Sequence, residues 1–326
     1  MGHPHIHAGL PHVQPGNDVV NERRIMIVLA IFASTFLWAP LTEAADAQAD
    51  VTPLLKVKYR QHHARLRAQP LLPVTIDAVQ AGGRLRGDVY ATLDYPYAQV
   101  VDTLRRGSNW CEIAPLHLNV KACTHEARRG ATRLTFYSGR KHFQPPEATR
   151  PFIYEFRVQA HSPDYFRAVL TPDSVTCDTE QNHILVEAIP LGRGQVFLHV
   201  QYSFKYSLWL RLAAGSYFAT FGAHKSGFTV TGTDRHGRSV HTGGITGAAE
   251  RNAVRYYLAL QTYFSTRDIP EPDRHERRLD RWFDLTEQYA AQLHEISKAE
   301  YLSAKRLERA QQLRLQRRLD TSAGHP

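Results

Sequence analysis

Residues 195–208 alternate between apolar and polar side chains almost without a break. Val196, Leu198, Val200, Tyr202, Phe204, Tyr206 and Leu208 fall on one side. His199, Gln201, Ser203, Lys205 and Ser207 fall on the other, and Phe197 is the one large apolar exception. A period of two marks a strand with one buried face. Strands usually run to about 5–6 residues, so this length predicts a strongly curved sheet whose inner face wraps around another element. Strand signals recur at residues 84–93, 118–123, 132–138, 152–159, 165–171, 184–189 and 227–233. Turn chemistry separates them, as in Gln144-Pro145-Pro146, Ser162-Pro163-Asp164 and Leu191-Gly192-Arg193-Gly194. Strands at this spacing, with no helix between them, predict an antiparallel meander.

Helical spacing predicts four further elements. A short helix is expected over residues 54–66. Another runs over 96–105, with Pro96 in its first turn, Val100, Val101 and Leu104 buried, and Gly107-Ser108 as its stop. Residues 248–264 carry Ala249, Ala253, Tyr256, Tyr257, Leu260 and Phe264 on one stripe, with Thr246 or Gly247 as cap, Glu250 in the first turn, and Arg251, Arg255 and Thr262 on the opposite face. Beyond the hinge at Pro270 and Pro272, residues 273–319 read as one long charged helix with Trp282, Leu285, Tyr289, Leu293 and Ile296 at three-to-four spacing. Its final third is basic, through Lys298, Lys305, Arg306, Arg309, Arg314, Arg317 and Arg318. That stripe is expected to pack on the domain or on a second copy; contact of the basic face with a membrane surface is the alternative.

The order of strand, helix, antiparallel strands and closing helix, ending in AAERNAVRYYLALQTYF at residues 248–264, resembles the START-like (SRPBCC) helix-grip superfamily. The resemblance implies an α+β fold in which a curved antiparallel sheet wraps a long helix. It also implies a cavity between the two that holds lipids, sterols, polyketides or other apolar molecules. It carries no catalytic motif. The chain then divides into a prefix (1–22), a signal peptide (23–47), a lead-in helix (48–83), the helix-grip domain (84–266) and an appended amphipathic helical tail (271–320).

Composition changes this picture at the N-terminus. Arg23-Arg24, an apolar run over residues 25–38 and the alanine-rich stretch 41–49 describe a secretory signal peptide, with Ala45-Asp46-Ala47 the cleanest cleavage site. Export to the periplasm is the resulting expectation. The histidines of the prefix, His3, His5, His7 and His12, would be lost with the signal or never translated. The formal charge is +9; removing two arginines and four carboxylates with residues 1–47 leaves about +11. In an exported protein, such a charge favours anionic lipid surfaces over nucleic acid, which is not expected as a partner. Of the three cysteines, Cys111 and Cys123 are expected to pair, leaving Cys177 free.

Candidate chemistry is sparse. No HExxH, GxSxG, phosphate loop or metal-ligand spacing is present, so no catalytic residue, metal or cofactor is assigned. The histidines outside the prefix read as surface residues. The candidate ligand-lining residues are Trp110, Phe156, Val200, Tyr202, Phe204, Tyr256, Tyr257 and Leu260, with the tyrosine hydroxyls available to orient a polar head. Residues 208–221, rich in aromatics, read as ordinary core or as a mobile apolar lid. Three functions stay open: an exported binding or transfer protein for an apolar ligand, an interaction module acting through the tail, and a cyclase or hydrolase using the same cavity.

Overall fold

The alternating runs fold as one antiparallel sheet. The computed structural model describes residues 51–69, 72–81, 84–173, 183–205 and 225–323. The signal peptide and histidine-rich prefix, Cys177 and the aromatic segment 208–221 lie outside the described residues. The described residues belong to one compact unit.

The chain opens with helix α1 (Val51–Ala68), strands β1 (Val74–Ala81) and β2 (Arg84–Leu93), and helices α2 (Tyr97–Leu104) and α3 (Gly107–Ile113). The meander follows: β3 (Val120–Arg128), β4 (Ala131–Ser138), β5 (Arg150–His161), β6 (Phe166–Pro172), β7 (His183–Pro190) and β8 (Val196–Lys205). A separate hairpin, β9 (Val230–Thr233) and β10 (Ser239–His241), leads into α4 (Gly244–Ser265). The chain ends with α5 (Asp273–Glu287), α6 (Ala290–Leu293) and α7 (Lys298–Ala323).

The eight strands stand in the order β1-β2-β8-β7-β6-β5-β4-β3. Helices α2 and α3 carry the chain from β2, beside β8, across to β3 at the far edge. The meander then returns strand by strand until β8 pairs β2, with Ala91 opposite Leu198 and Val89 opposite Val200. The inner face packs on α4: Val89, Ala91, Leu134, Phe156, Ala168, Leu170, Val186 and Leu198 share one core with Val254, Tyr257, Leu258, Leu260 and Phe264. This is the α+β helix-grip arrangement that the resemblance implies.

Two layers go beyond it. Helix α1 covers the opposite, convex face, where Leu55 and Leu66 meet Tyr90, Tyr165, Ile189 and Phe197. The C-terminal segment is three helices rather than one, and its stripe packs on the domain: Leu279, Trp282, Phe283, Leu293, Ile296 and Tyr301 belong to the main core. Trp282 donates its indole N–H to the carbonyl of Arg255 (3.1 Å) and Tyr301 its hydroxyl to that of Leu116 (2.9 Å). Residues 273–323 therefore complete the core, and the lead-in region contributes β1 to the sheet in full antiparallel register with β2.

The structure corrects three expectations. Arg251, Arg255 and Thr262 are buried, because the C-terminal helices cover the face of α4 that a two-layer fold leaves to solvent. Arg255 pairs with Glu295 (3.0 Å) and Arg251 donates to the carbonyls of Lys225 and Ser226. The cap of α4 is Gly243, so Glu250 lies beyond the first turn. His62, His117 and His199 are likewise buried rather than on the surface. Cys111 and Cys123 form a disulfide with their Cα atoms 4.8 Å apart, tying α3 to β3.

Candidate functional site on the inner face of the sheet

Cross-strand register gathers the inner-face side chains into rows. One row runs Gly87, Tyr202, Ile184, Leu170, Phe156 across β2, β8, β7, β6 and β5. The next rows bring Val89, Val200, Val186 and Ala168 together on one side, and Tyr154 with Leu134 on the other. Leu170, Phe156, Val186, Ala168 and Leu134 are fully packed. Trp110, Phe136, Tyr154, Ile184, Val200 and Tyr202 pack against the same core yet are only half-buried. Tyr256 is 40% exposed. The inner face is thus densely filled at its centre and retains accessible apolar and aromatic surface around it.

Tyr202 is the singular residue of this face. Its ring lies flat over β2, where a Cβ at Gly87 would fall 2.3 Å from its Cζ atom, so only glycine permits the approach. Leu85 and Ala249 hold the ring from the side. Its hydroxyl oxygen is buried and has no hydrogen-bond partner among the described residues. Burial, and then the charges of Glu250 and Asp88, push its pKa up to about 12. Glu250 is itself buried and fixed, its Oε2 accepting from the backbone N–H groups of Phe228 (2.7 Å) and Thr229 (3.0 Å).

The other candidate residues take different places. Phe156 and Leu260 are core. Trp110 supports Phe156 at a ring separation of 6.2 Å and donates its indole N–H to the carbonyl of Leu104. Tyr257 is buried with its hydroxyl committed, donating to the carbonyl of Thr92 (2.9 Å) and accepting from Gln261 (2.6 Å). It is a structural tyrosine. Tyr256 stacks on His117 at 4.8 Å. Burial, with Arg255 and Lys305 nearby, holds His117 well below the usual histidine range, so it is neutral. Phe204 stands in β8 opposite Leu85, and its side chain lies outside the described residues. Val200 and Tyr202 remain as accessible inner-face positions. Phe136, Tyr154 and Ile184 join them, and sequence alternation carried all three; Gly87, buried beneath the Tyr202 ring, shapes the site, but nothing in sequence announces it.

Two pockets lie away from this face and are of different character. One of about 110 Å³ lies between Glu147 and Gln311, Arg314, Leu315 and Arg318, and one of about 10 Å³ beside Glu112, Lys121, His275 and Glu308. Among the described residues, no cluster of histidine, cysteine and carboxylate side chains is suited to a metal ion, and no helix is long and apolar enough to cross a membrane.

No family model and no curated protein matches this chain. Solved structures that match this chain include human StAR-related lipid transfer protein 5, at 15% identity and a TM-score of 0.30, covering 55% of this chain and 90% of that one. Norcoclaurine synthase from Thalictrum flavum matches at 5% identity and a TM-score of 0.30, covering 44% and 77%. The Zhui aromatase/cyclase from Streptomyces sp. R1128 matches at 11% identity and a TM-score of 0.27, covering 66% and 95%. All three have the START-like helix-grip fold.

Proposed function

We propose that this protein binds a lipid or other apolar small molecule against the inner face of its sheet, outside the cytoplasm. The observation that carries the reading is Tyr202: a buried hydroxyl without a partner among the described residues, set beside the half-buried Ile184 and Val200. An unmet buried hydroxyl costs about 1–3 kcal/mol, so a ligand polar group that meets it recovers that energy. Val200, Ile184, Tyr154 and Phe136 supply the apolar contact for the ligand body. The basic, apolar and alanine-rich N-terminal sequence supports export, and the Cys111–Cys123 disulfide suits an oxidising compartment.

Replacing Tyr202 with Trp tests the site. With a ligand space beside the ring, Tyr202→Trp fills that space, weakens binding of a fluorescent fatty alcohol, and leaves stability nearly unchanged. In a solid core the same change overpacks and costs about 1–3 kcal/mol. A variant destabilised by that amount, from a parent that binds no apolar probe, removes the proposal. Native mass spectrometry of protein purified from its own periplasm tests ligand and location together.

A further inference from the structure

The sequence offers membrane contact by the C-terminal helix as an alternative to packing, but the cations of that helix are largely engaged. Lys305 is buried against Glu308 (2.8 Å), Arg306 pairs with Glu276 (2.7 Å) and Arg309 with Glu112 (2.7 Å). Only Arg314, Arg317 and Arg318 stay exposed along its last turns.

Helix α1 is the opposite case. It carries Lys56, Lys58, Arg60, Arg65 and Arg67 and no acidic residue. Arg65 reaches Asp77 at 3.4 Å; Lys56, Lys58, Arg60 and Arg67 make no ion pair among the described residues. The helix is docked on the convex face of the sheet by Leu55, His62 and Leu66, which leaves a continuous outer face. At about 100° per residue, the centre of that face is Val57, Gln61, Ala64 and Ala68, all exposed. Lys56, Arg60 and Arg67 border it on one side, and Leu54, Lys58 and Arg65 on the other. Leu54 is 56% and Val57 36% exposed. An apolar strip between two rows of long cationic side chains fits the boundary between lipid headgroups and acyl chains, where the stems cover apolar surface and the charges reach phosphate.

We infer that α1 is a docking face for an anionic lipid bilayer. The apolar strip decides against a nucleic acid, whose backbone offers nothing for Leu54, Val57, Ala64 and Ala68 to contact. The whole chain's charge of +9 acts in the same direction. This inference is independent of the ligand site, since α1 lies on the convex face and Tyr202 on the inner one.

Co-sedimentation of the full chain with phosphatidylcholine vesicles, with and without about 30% phosphatidylglycerol, provides the test. The protein is expected to bind only the anionic vesicles, and more weakly as salt rises. Lys56→Glu, Arg60→Glu and Arg67→Glu together should reduce binding at least about tenfold, while Arg314→Glu, Arg317→Glu and Arg318→Glu together leave most of it. Val57→Asp, which keeps every cation and sits on the exposed face, should also weaken binding, and it covers the case in which the triple variant folds poorly. Loss of binding in the tail variant with none in the α1 variant overturns the assignment. So does a Val57→Asp protein that binds as before while heparin displaces the vesicles, because that pattern describes a polyanion site rather than a bilayer.

Discussion

His199 is where the physical chemistry of single residues is sharpest. Its Nδ1 lies 2.8 Å from Glu187 and its Nε2 2.9 Å from Asp88, so both ring nitrogens face carboxylates and both must donate. Tyr165 donates to the other oxygen of Glu187 (2.5 Å), and Gln201 and Arg86 donate to Asp88. Tyr90 stacks on the imidazole at 4.9 Å, with His62 of α1 stacked on Tyr90 at 4.1 Å. Burial alone lowers the His199 pKa, but the two carboxylates outweigh it and raise it above the usual value. Burial likewise raises Glu187 and Asp88, but His199 acting together with Tyr165 and Arg167 on Glu187, and with Arg86 and Gln201 on Asp88, outweighs it and lowers both. The signs are then fixed. The histidine's contribution is complete below about pH 6.5 and is lost as pH rises through its raised value. The carboxylates' contribution is complete above their ordinary values and is lost as pH falls. His199→Phe keeps a ring against Tyr90 and removes both donors; it should cost about 3 kcal/mol. Urea unfolding across pH should find the gap from the parent widest near about pH 5–6 and narrowing on the alkaline side. A gap that grows toward alkaline pH would mean a neutral imidazole.

At the scale of elements, α7 closes the β3 edge of the sheet with two glutamines. Gln312 accepts from the N–H of Cys123 (2.9 Å) and donates to the carbonyl of Cys111 (3.0 Å). Gln316 accepts from the N–H of His125 (2.9 Å) and donates to its carbonyl (2.8 Å). Four helical residues rise about 6 Å and two strand residues about 7 Å, so side chains one turn apart meet successive outward-facing backbone groups of β3. An open edge invites pairing with another chain, and here a helix takes its place. Gln312→Ala strands a buried donor and a buried acceptor and should cost about 1–3 kcal/mol in denaturant unfolding. Arg314→Ala, on the exposed side, should stay within about 0.5 kcal/mol. Equal effects of the two would deny the glutamine its role. Alternation made β2 and β4–β8 legible in the sequence, because each buries one face. It missed β1, whose burial is confined to its first three residues. It also missed α3, since Gly107 reads as a stop. That glycine is instead a close approach: a Cβ there would lie 2.7 Å from Thr132. The buried histidines and arginines escaped for one reason: α1 and the C-terminal helices cover faces that a sheet gripping a single helix leaves to water. Tyr202 and Val200 were legible as inward residues, whereas the commitment of the Tyr257 hydroxyl to Thr92 depends on a strand far away in sequence.

For the whole unit, the charge that matters at the inner face is Glu250, the stronger of the two carboxylates acting on Tyr202. Asp88 acts from the far side of the sheet, where His199 and Arg86 pair with it. Burial is the main cause of the raised Tyr202 pKa, and the two charges that add to it, Glu250 and Asp88, are both negative. A ligand bringing a carboxylate to the Tyr202 hydroxyl would place another negative charge in that field. A neutral alcohol can instead donate to the tyrosine oxygen or accept its proton, with no charge to repel. Hexadecanol should therefore displace a fluorescent apolar probe better than palmitate at neutral pH, by at least about tenfold given Coulomb energies at a partly buried site. Glu250→Gln keeps an oxygen for the Phe228 and Thr229 N–H groups and removes the charge, so it should narrow the difference by raising palmitate affinity more than alcohol affinity. Tyr202→Phe should weaken the alcohol and leave palmitate nearly as before, since the acid gains little from the hydroxyl in the parent. Preference for palmitate in the parent protein, unmoved by Glu250→Gln, would place the polar end of the ligand away from Tyr202.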